Sequence, residues 1–230
     1  DIRQEGDRLY IGALTTHTEI ENSALVSQHA PMLAMAAPHI AHRAIRNSGT
    51  WGGSIAYGDP AAEWPCCLCA MDGQIHLQSP KGLRKLSATD FFMDLYTTAL
   101  APDEVVVGAD VPLAGQADWF ALDELESRPG DYAVAGLAVA ASFSGTVAQR
   151  VNLAFLGIGA IPWRARRTEA LLVGKTLDSA TVEIAVASLK AELDPLPDLT
   201  HSPETTRHLA TVLARRLLSA AHASRSAIAV

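Results

Sequence analysis

Past the middle of the chain, two long apolar runs, Tyr132 to Ser142 and Ala148 to Gly157, meet across Ser144-Gly145. A serine–glycine step between such runs is a hairpin signal, because glycine takes the backbone angles of a tight turn without steric cost. A hairpin commits both strands to antiparallel pairing. A chain whose longest strands pair this way and then give way to helices reads as α+β, not as a doubly wound parallel sheet. The pattern changes between Pro112 and Gln116, around Gly115, so two domains are expected, residues 1–113 and 117–230. The second is expected to be a smaller α+β unit with its antiparallel sheet packed on helices.

The remaining segments fit that frame. Asp1 to Arg8 reads as a short charged lead-in and Leu9 to Leu14 as a strand. Ser23 is placed to cap a helix through His29, and Pro31 breaks and restarts it. Asp59-Pro60 should open another helix as N-cap and first residue, with Pro65 inside it. Gln74 to Gln78 and Leu83 to Leu86 are strands about a Ser79–Gly82 turn, and Asp103 to Pro112 is a strand dense in β-branched residues. Trp119 to Leu122 is a strand that leads to a charged turn, Arg128-Pro129-Gly130-Asp131. Helices are expected at Glu169 to Val173, at Ser179 to Leu193, and from Ser202-Pro203 to about His222. The last should turn Leu209, Val212, Leu213 and Leu217 inward and leave Arg215 and Arg216 in water.

Composition removes several classes of function. The chain has 230 residues, 49% of them hydrophobic, and a net charge of −7. It shows no basic run or basic patch interleaved with aromatics, so nucleic acid is excluded as a partner. The longest apolar stretch is too short to span a bilayer, and no signal peptide is visible. Because the sequence begins at Asp1, a fragment or a processed product is expected. The three cysteines, Cys66, Cys67 and Cys69, cannot build a disulfide framework, which points to a reducing compartment. Lying in an apolar run, they read as small buried hydrophobes.

Chemistry concentrates in Ile45 to Pro65, IRNSGTWGGSIAYGDPAAEWP. Gly49, Gly52 and Gly53 stand among the hydroxyls of Ser48, Thr50 and Ser54. Bare N–H groups in such a turn can converge on an anion, so the stretch is read as a loop gripping a cofactor diphosphate. Most glycine pairs only turn the chain, and there is no strand–GxGxxG–helix unit, so a Rossmann site is not supported. His39 and His42 are three apart but have no further ligand spaced to complete a metal site. His17 reads as a hydrogen-bonded structural residue.

Four separated segments together carry a more specific signal: Ile11-Gly12-Ala13-Leu14-Thr15-Thr16-His17, Ile45 to Ser54, Asp59-Pro60-Ala61-Ala62-Glu63, and the R-x-G-D-aromatic-A pattern of Arg128, Gly130, Asp131, Tyr132 and Ala133. In their order and spacing they resemble the FAD-binding medium subunit of molybdenum hydroxylases, the carbon monoxide dehydrogenase, quinoline oxidoreductase and xanthine dehydrogenase group. The resemblance implies a PCMH-type FAD-binding domain followed by a smaller α+β domain. It implies that Thr50, Trp51, Gly52, Gly53 and Ser54 hold FAD phosphates and ribitol, with Glu63 as an acidic contact. Ile40 and Val106 would lie against the isoalloxazine or its support, and Asp123 near another cofactor contact. Tyr132 would pack by the flavin or a subunit interface; a buried core tyrosine is the alternative.

The resemblance also implies partners: a large molybdopterin-binding subunit and a small subunit with two [2Fe–2S] clusters, in a cytoplasmic dimer of heterotrimers. Electrons would pass from those clusters to FAD here and on to an external acceptor, so no acid, base or nucleophile is nominated in this chain. Three departures stand out. The N-terminal lobe with its second glycine loop, A-G-G-x-S, is not among these residues, Tyr57 replaces a common histidine, and Ser48 replaces an arginine. A cofactor-free structural subunit of the same assembly is the rival reading. A hydrolase using a cysteine near His17 or His76 is disfavoured, because no activating cation stands beside the thiols.

Overall fold

The computed structural model describes residues 1–128, 130–197 and 200–228. β1 (Ile2–Glu5) and β2 (Arg8–Gly12) lead into α1 (His17–Glu21), α2 (Ala24–His29), α3 (Pro31–Ala36), α4 (Arg43–Arg46), α5 (Trp51–Tyr57) and α6 (Glu63–Ala70). Next come β3 (Gln74–Ser79), β4 (Gly82–Ser87), α7 (Ala88–Phe91), β5 (Phe92–Asp94), β6 (Thr97–Thr98) and β7 (Val105–Pro112). The second half runs β8 (Asp118–Glu126), β9 (Ala133–Ser144), β10 (Val147–Leu156), β11 (Trp163–Arg164), α8 (Arg166–Leu172), α9 (Ser179–Glu192) and α10 (Pro203–Ile228).

The first sheet has the order β1-β2-β7-β3-β4 and the second β11-β10-β9-β8, with every pairing antiparallel. The period-two geometry of a strand separates the faces of the first sheet. Leu9, Ile11, Ile75, Leu77, Ala109 and Val111 enter the core. On the other face, Asp110 accepts from Arg8 and pairs with His76 at 2.5 Å. The charged lead-in is part of this sheet: β1 pairs with β2, and Arg3 lies over the Tyr10 ring at 4.0 Å. Charge in a short edge strand is compatible with pairing on one side only.

The expected hairpin is β9–β10, turned at Gly145 with φ +57°. Its two faces differ. Leu137, Val139, Phe143, Leu153 and Phe155 belong to the core that contains residues of α9 and α10. Ala138, Ala140 and Ala154 pack into the other core, with α6. Alanines on that face let α6 approach closely, and Cys66 donates its S–H to the Ala154 carbonyl at 3.1 Å. Residues Trp64 through Ala70 of α6 are all buried. A helix that is apolar all round has no wet face, which is why PCCLCA shows no amphipathic period.

Ser23 caps α2 through the Val26 N–H, and Pro31 starts α3. The expected helix at Asp59 is corrected. Asp59 Oδ1 accepts from the Ala61 N–H in a turn, and α6 starts at Glu63 after Ala62. Pro65 then falls in the first turn, where a missing N–H costs no helical bond. α10 extends beyond the expected end, to Ile228. Pro129, in the expected charged turn, lies outside the described residues. Among the described residues, no helix is long and apolar enough to cross a membrane.

Candidate cofactor site

The glycine stretch is the start of a helix, not a loop of free amides. Thr50 is the N-cap of α5, and its Oγ1 accepts from the Gly53 N–H at 3.2 Å. The Trp51 N–H donates to the Thr15 carbonyl and the Gly52 N–H to the Ala13 carbonyl, both at 2.8 Å. The Trp51, Gly52 and Gly53 amides, expected to embrace a diphosphate, are therefore bonded within the protein. Gly52 is required for a different reason: a Cβ there would stand 2.4 Å from Ala13 Cβ. Trp51 is fully buried and packs edge-on against Trp64, ring centroids 5.2 Å apart. Neither Trp51 nor Gly52 reaches the cavity described next; they support its wall.

That cavity, about 640 Å³, opens beside the N-terminus of α5. Such a volume falls in the range of roughly 300–1,000 Å³ common for small-molecule and cofactor pockets. Ile40, Ala41, Ile45 and Tyr57 supply apolar wall, and Gly130, Asp131 and Tyr132 close it from the second half of the chain. Of the expected site residues, Ile40, Thr50, Gly53, Ser54 and Glu63 line it. Val106 and Asp123 do not. Val106 packs against the first core from β7, and Asp123 pairs with Arg216 of α10. Arg215 likewise binds Glu183 through both carboxylate oxygens, so neither arginine is merely solvated. Tyr132 is 73% exposed at the rim, which removes the core alternative.

One wall is rich in donors without cationic side chains. Thr50 Oγ1 uses a lone pair on Gly53, which leaves its O–H free to donate. Gly53 faces open space apart from Thr50 Oγ1, which would lie 2.8 Å from an added Cβ. His17 Nδ1 accepts from the Trp64 indole N–H at 2.9 Å. Burial, and then the Arg46 charge, pull the His17 pKa down to about 4. Sequence reasoning set His17 aside as structural. The signal that it belongs here is its contact with the glycine stretch, since a Cβ on Gly49 would lie 2.7 Å from His17 Nε2.

The opposite wall is acidic. Burial pushes the Glu63 carboxyl up to about 7, with Glu124 and Asp59 raising it further and His39 opposing. Behind it, His39 Nδ1 lies 3.3 Å from Glu124 Oε1, an ion-pair distance without hydrogen-bond alignment. The Glu124 contact holds the His39 imidazole above its usual value. The three thiols of α6 are inert by the same physics. Burial pushes Cys69 up to about 12 and Cys66 and Cys67 well above their ordinary value. A thiol needs its thiolate to attack, so the hydrolase reading has no nucleophile.

Residues 1–114 match the family described as "FAD binding domain in molybdopterin dehydrogenase", and residues 120–221 match "CO dehydrogenase flavoprotein C-terminal domain". The nicotine 6-hydroxylase medium subunit of Paenarthrobacter nicotinovorans is 36% identical over 94% of this chain and 76% of its own length. The chain belongs to the FAD-binding medium subunits of molybdenum hydroxylases. The carbon monoxide dehydrogenase medium chain of Hydrogenophaga pseudoflava is 33% identical over 96% of this chain and 77% of the relative. A solved carbon monoxide dehydrogenase from that organism superposes with TM-score 0.93 and 34% identity, covering 97% of this chain and 78% of the other. Quinoline 2-oxidoreductase from Pseudomonas putida 86 superposes with TM-score 0.92 and 31% identity, covering 98% and 78%.

The cavity of this medium subunit fits a flavin nucleotide. Gly53 leaves space that a side chain would fill, Gly49 lets the His17 ring pack against its bare backbone, hydroxyls and an imidazole supply donors, and apolar side chains offer a surface for a ring. When bound, FAD supplies the redox chemistry, taking and releasing electrons singly or in pairs. The chain's own residues bind and orient it. Glu63, its carboxyl raised by burial to about 7, carries less negative charge near neutral pH than an ordinary glutamate and so presents less charge to an anionic ligand.

Proposed function

We propose that this chain holds FAD in the cavity between α5 and residues 130–132, and that electrons reach it from [2Fe–2S] clusters on a small partner subunit and leave to an external acceptor. The observation that carries this reading is the donor wall formed by His17, Thr50 and Ser54 beside the open Gly53. Thr50, Gly53 and Ser54 face the polar part of the cofactor, Ile40 lies against its ring or support, and Glu63 is the acidic contact. Substrate oxidation takes place on a large molybdopterin-binding partner, in a cytoplasmic dimer of heterotrimers. The seam between the domains falls at residues 113–117, between β7 of the first sheet and β8 of the second.

Co-purification tests the reading. The assembly should contain a cysteine-rich small chain and a large molybdopterin chain, and should show a flavin spectrum at one FAD per copy of this subunit. A colourless assembly with both partners present would favour the structural-subunit alternative.

A further inference from the structure

His17 has one nitrogen fully accounted for and one left over. The Trp64 indole is a donor only, so His17 Nδ1, at 2.9 Å, must be the unprotonated acceptor. In an uncharged imidazole the ring proton then belongs to Nε2. With its pKa pulled down to about 4 by burial and by Arg46, the ring is uncharged throughout the neutral range. His17 is only 6% exposed, it lines the cavity, and among the described residues no hydrogen-bond partner serves Nε2. Gly49 keeps that nitrogen clear, since any side chain there would begin 2.7 Å away from it. A residue held only for structure needs nothing beyond Nδ1. Here the second nitrogen is fixed as a donor on a ring that lines the cavity, beside the bare backbone of Gly49.

We propose that His17 is a binding residue of the flavin site, donating its Nε2–H to an acceptor oxygen of the bound nucleotide, with Trp64 as the positioning residue that fixes which nitrogen carries the proton. This rests on the reading that FAD occupies the cavity. It assigns a role that the α5 amides do not fill, because those amides are spent on Ala13, Thr15 and Thr50. A neutral donor suits the position: the ring approaches a polar ligand without titrating between pH 6 and 8, so binding through it is insensitive to pH there.

Two conservative variants separate binding from folding. In His17→Asn the amide oxygen mimics Nδ1 and still takes the Trp64 proton, but the side chain stops short of Nε2. In His17→Gln the amide nitrogen mimics Nε2 and the Nδ1 contact is lost. Each is compared with wild type in the flavin-depleted, purified assembly, titrated with FAD and melted without it. His17→Asn should bind FAD about 10- to 100-fold more weakly, the range for a lost hydrogen bond to a charged group, with its Tm near wild type. His17→Gln should lower Tm yet keep more affinity than His17→Asn. Nitrogen NMR of wild type should show the Nε2–H tautomer, with that proton shifting when FAD is added. Wild-type affinity in His17→Asn, or affinity losses that merely follow Tm in both variants, would overturn the assignment. If wild type itself takes up no FAD, it is the cofactor reading that fails, and the tautomer measurement still stands on its own.

Discussion

The two walls of the cavity solve opposite problems. The wall built from α1, residues 48–50 and α5 offers donors with no lysine or arginine among the described lining residues. The wall built from Asp59, Glu63 and Asp131 offers acids to the same space. The donor wall is held by hydrogen bonds and ring packing: Thr50 to Gly53, and His17 to the buried Trp64, which packs on Trp51. The acid wall is tuned by burial, which raises the Glu63 carboxyl to about 7.

The largest effect should come from removing the support shared by the donor residues. Trp64→Ala empties a fully buried site and should cost about 3–5 kcal/mol, read as a drop in denaturant midpoint; a cost under about 1 kcal/mol would mean the wall does not depend on that indole. Gly53→Val should lower FAD affinity roughly 100-fold, about 2.8 kcal/mol, because the side chain enters the cavity. It should also cost about 1 kcal/mol of stability through the Thr50 cap. Stoichiometric FAD in Gly53→Val would sink the assignment of that wall.

Glu63→Gln sharpens the contrast from the acid side. The native state holds a proton that the unfolded chain releases near pH 4.5, so stability contributed by this group is greatest below that value and falls as pH rises to about 7. Glutamine mimics the neutral acid. The variant should therefore match wild type at pH 4 and exceed it at pH 8 by about 3 kcal/mol; equal stability at pH 8 would show that the carboxyl is not raised in the native state. The smallest effect belongs to the layer behind both walls. A thiol reagent should leave Cys66, Cys67 and Cys69 unmodified in the native protein and react with all three after unfolding, as their full burial requires.

Some of this was legible in residue order. The Ser144-Gly145 hairpin, the Ser23 cap and the Pro31 restart follow from local backbone rules, which act within a few residues. The alternation of β9, with Leu137 and Val139 on one face and Ala138 and Ala140 on the other, was present as well, but its meaning was not. Alternation says that two faces differ, not what covers each.

Sequence by itself determined the antiparallel α+β class, the family, and a place where ligand-binding chemistry concentrates, because spacing and turn residues encode those locally. Tertiary structure alone decided that the Trp51 and Gly52 amides point at residues 13–15 and not at a ligand, that Asp123 is claimed by Arg216, and that His17 keeps a donor in reserve. Each of those outcomes depends on which distant group arrives first at a hydrogen-bonding atom, and only the packed chain brings residues 17 and 64, or 123 and 216, within reach of one another.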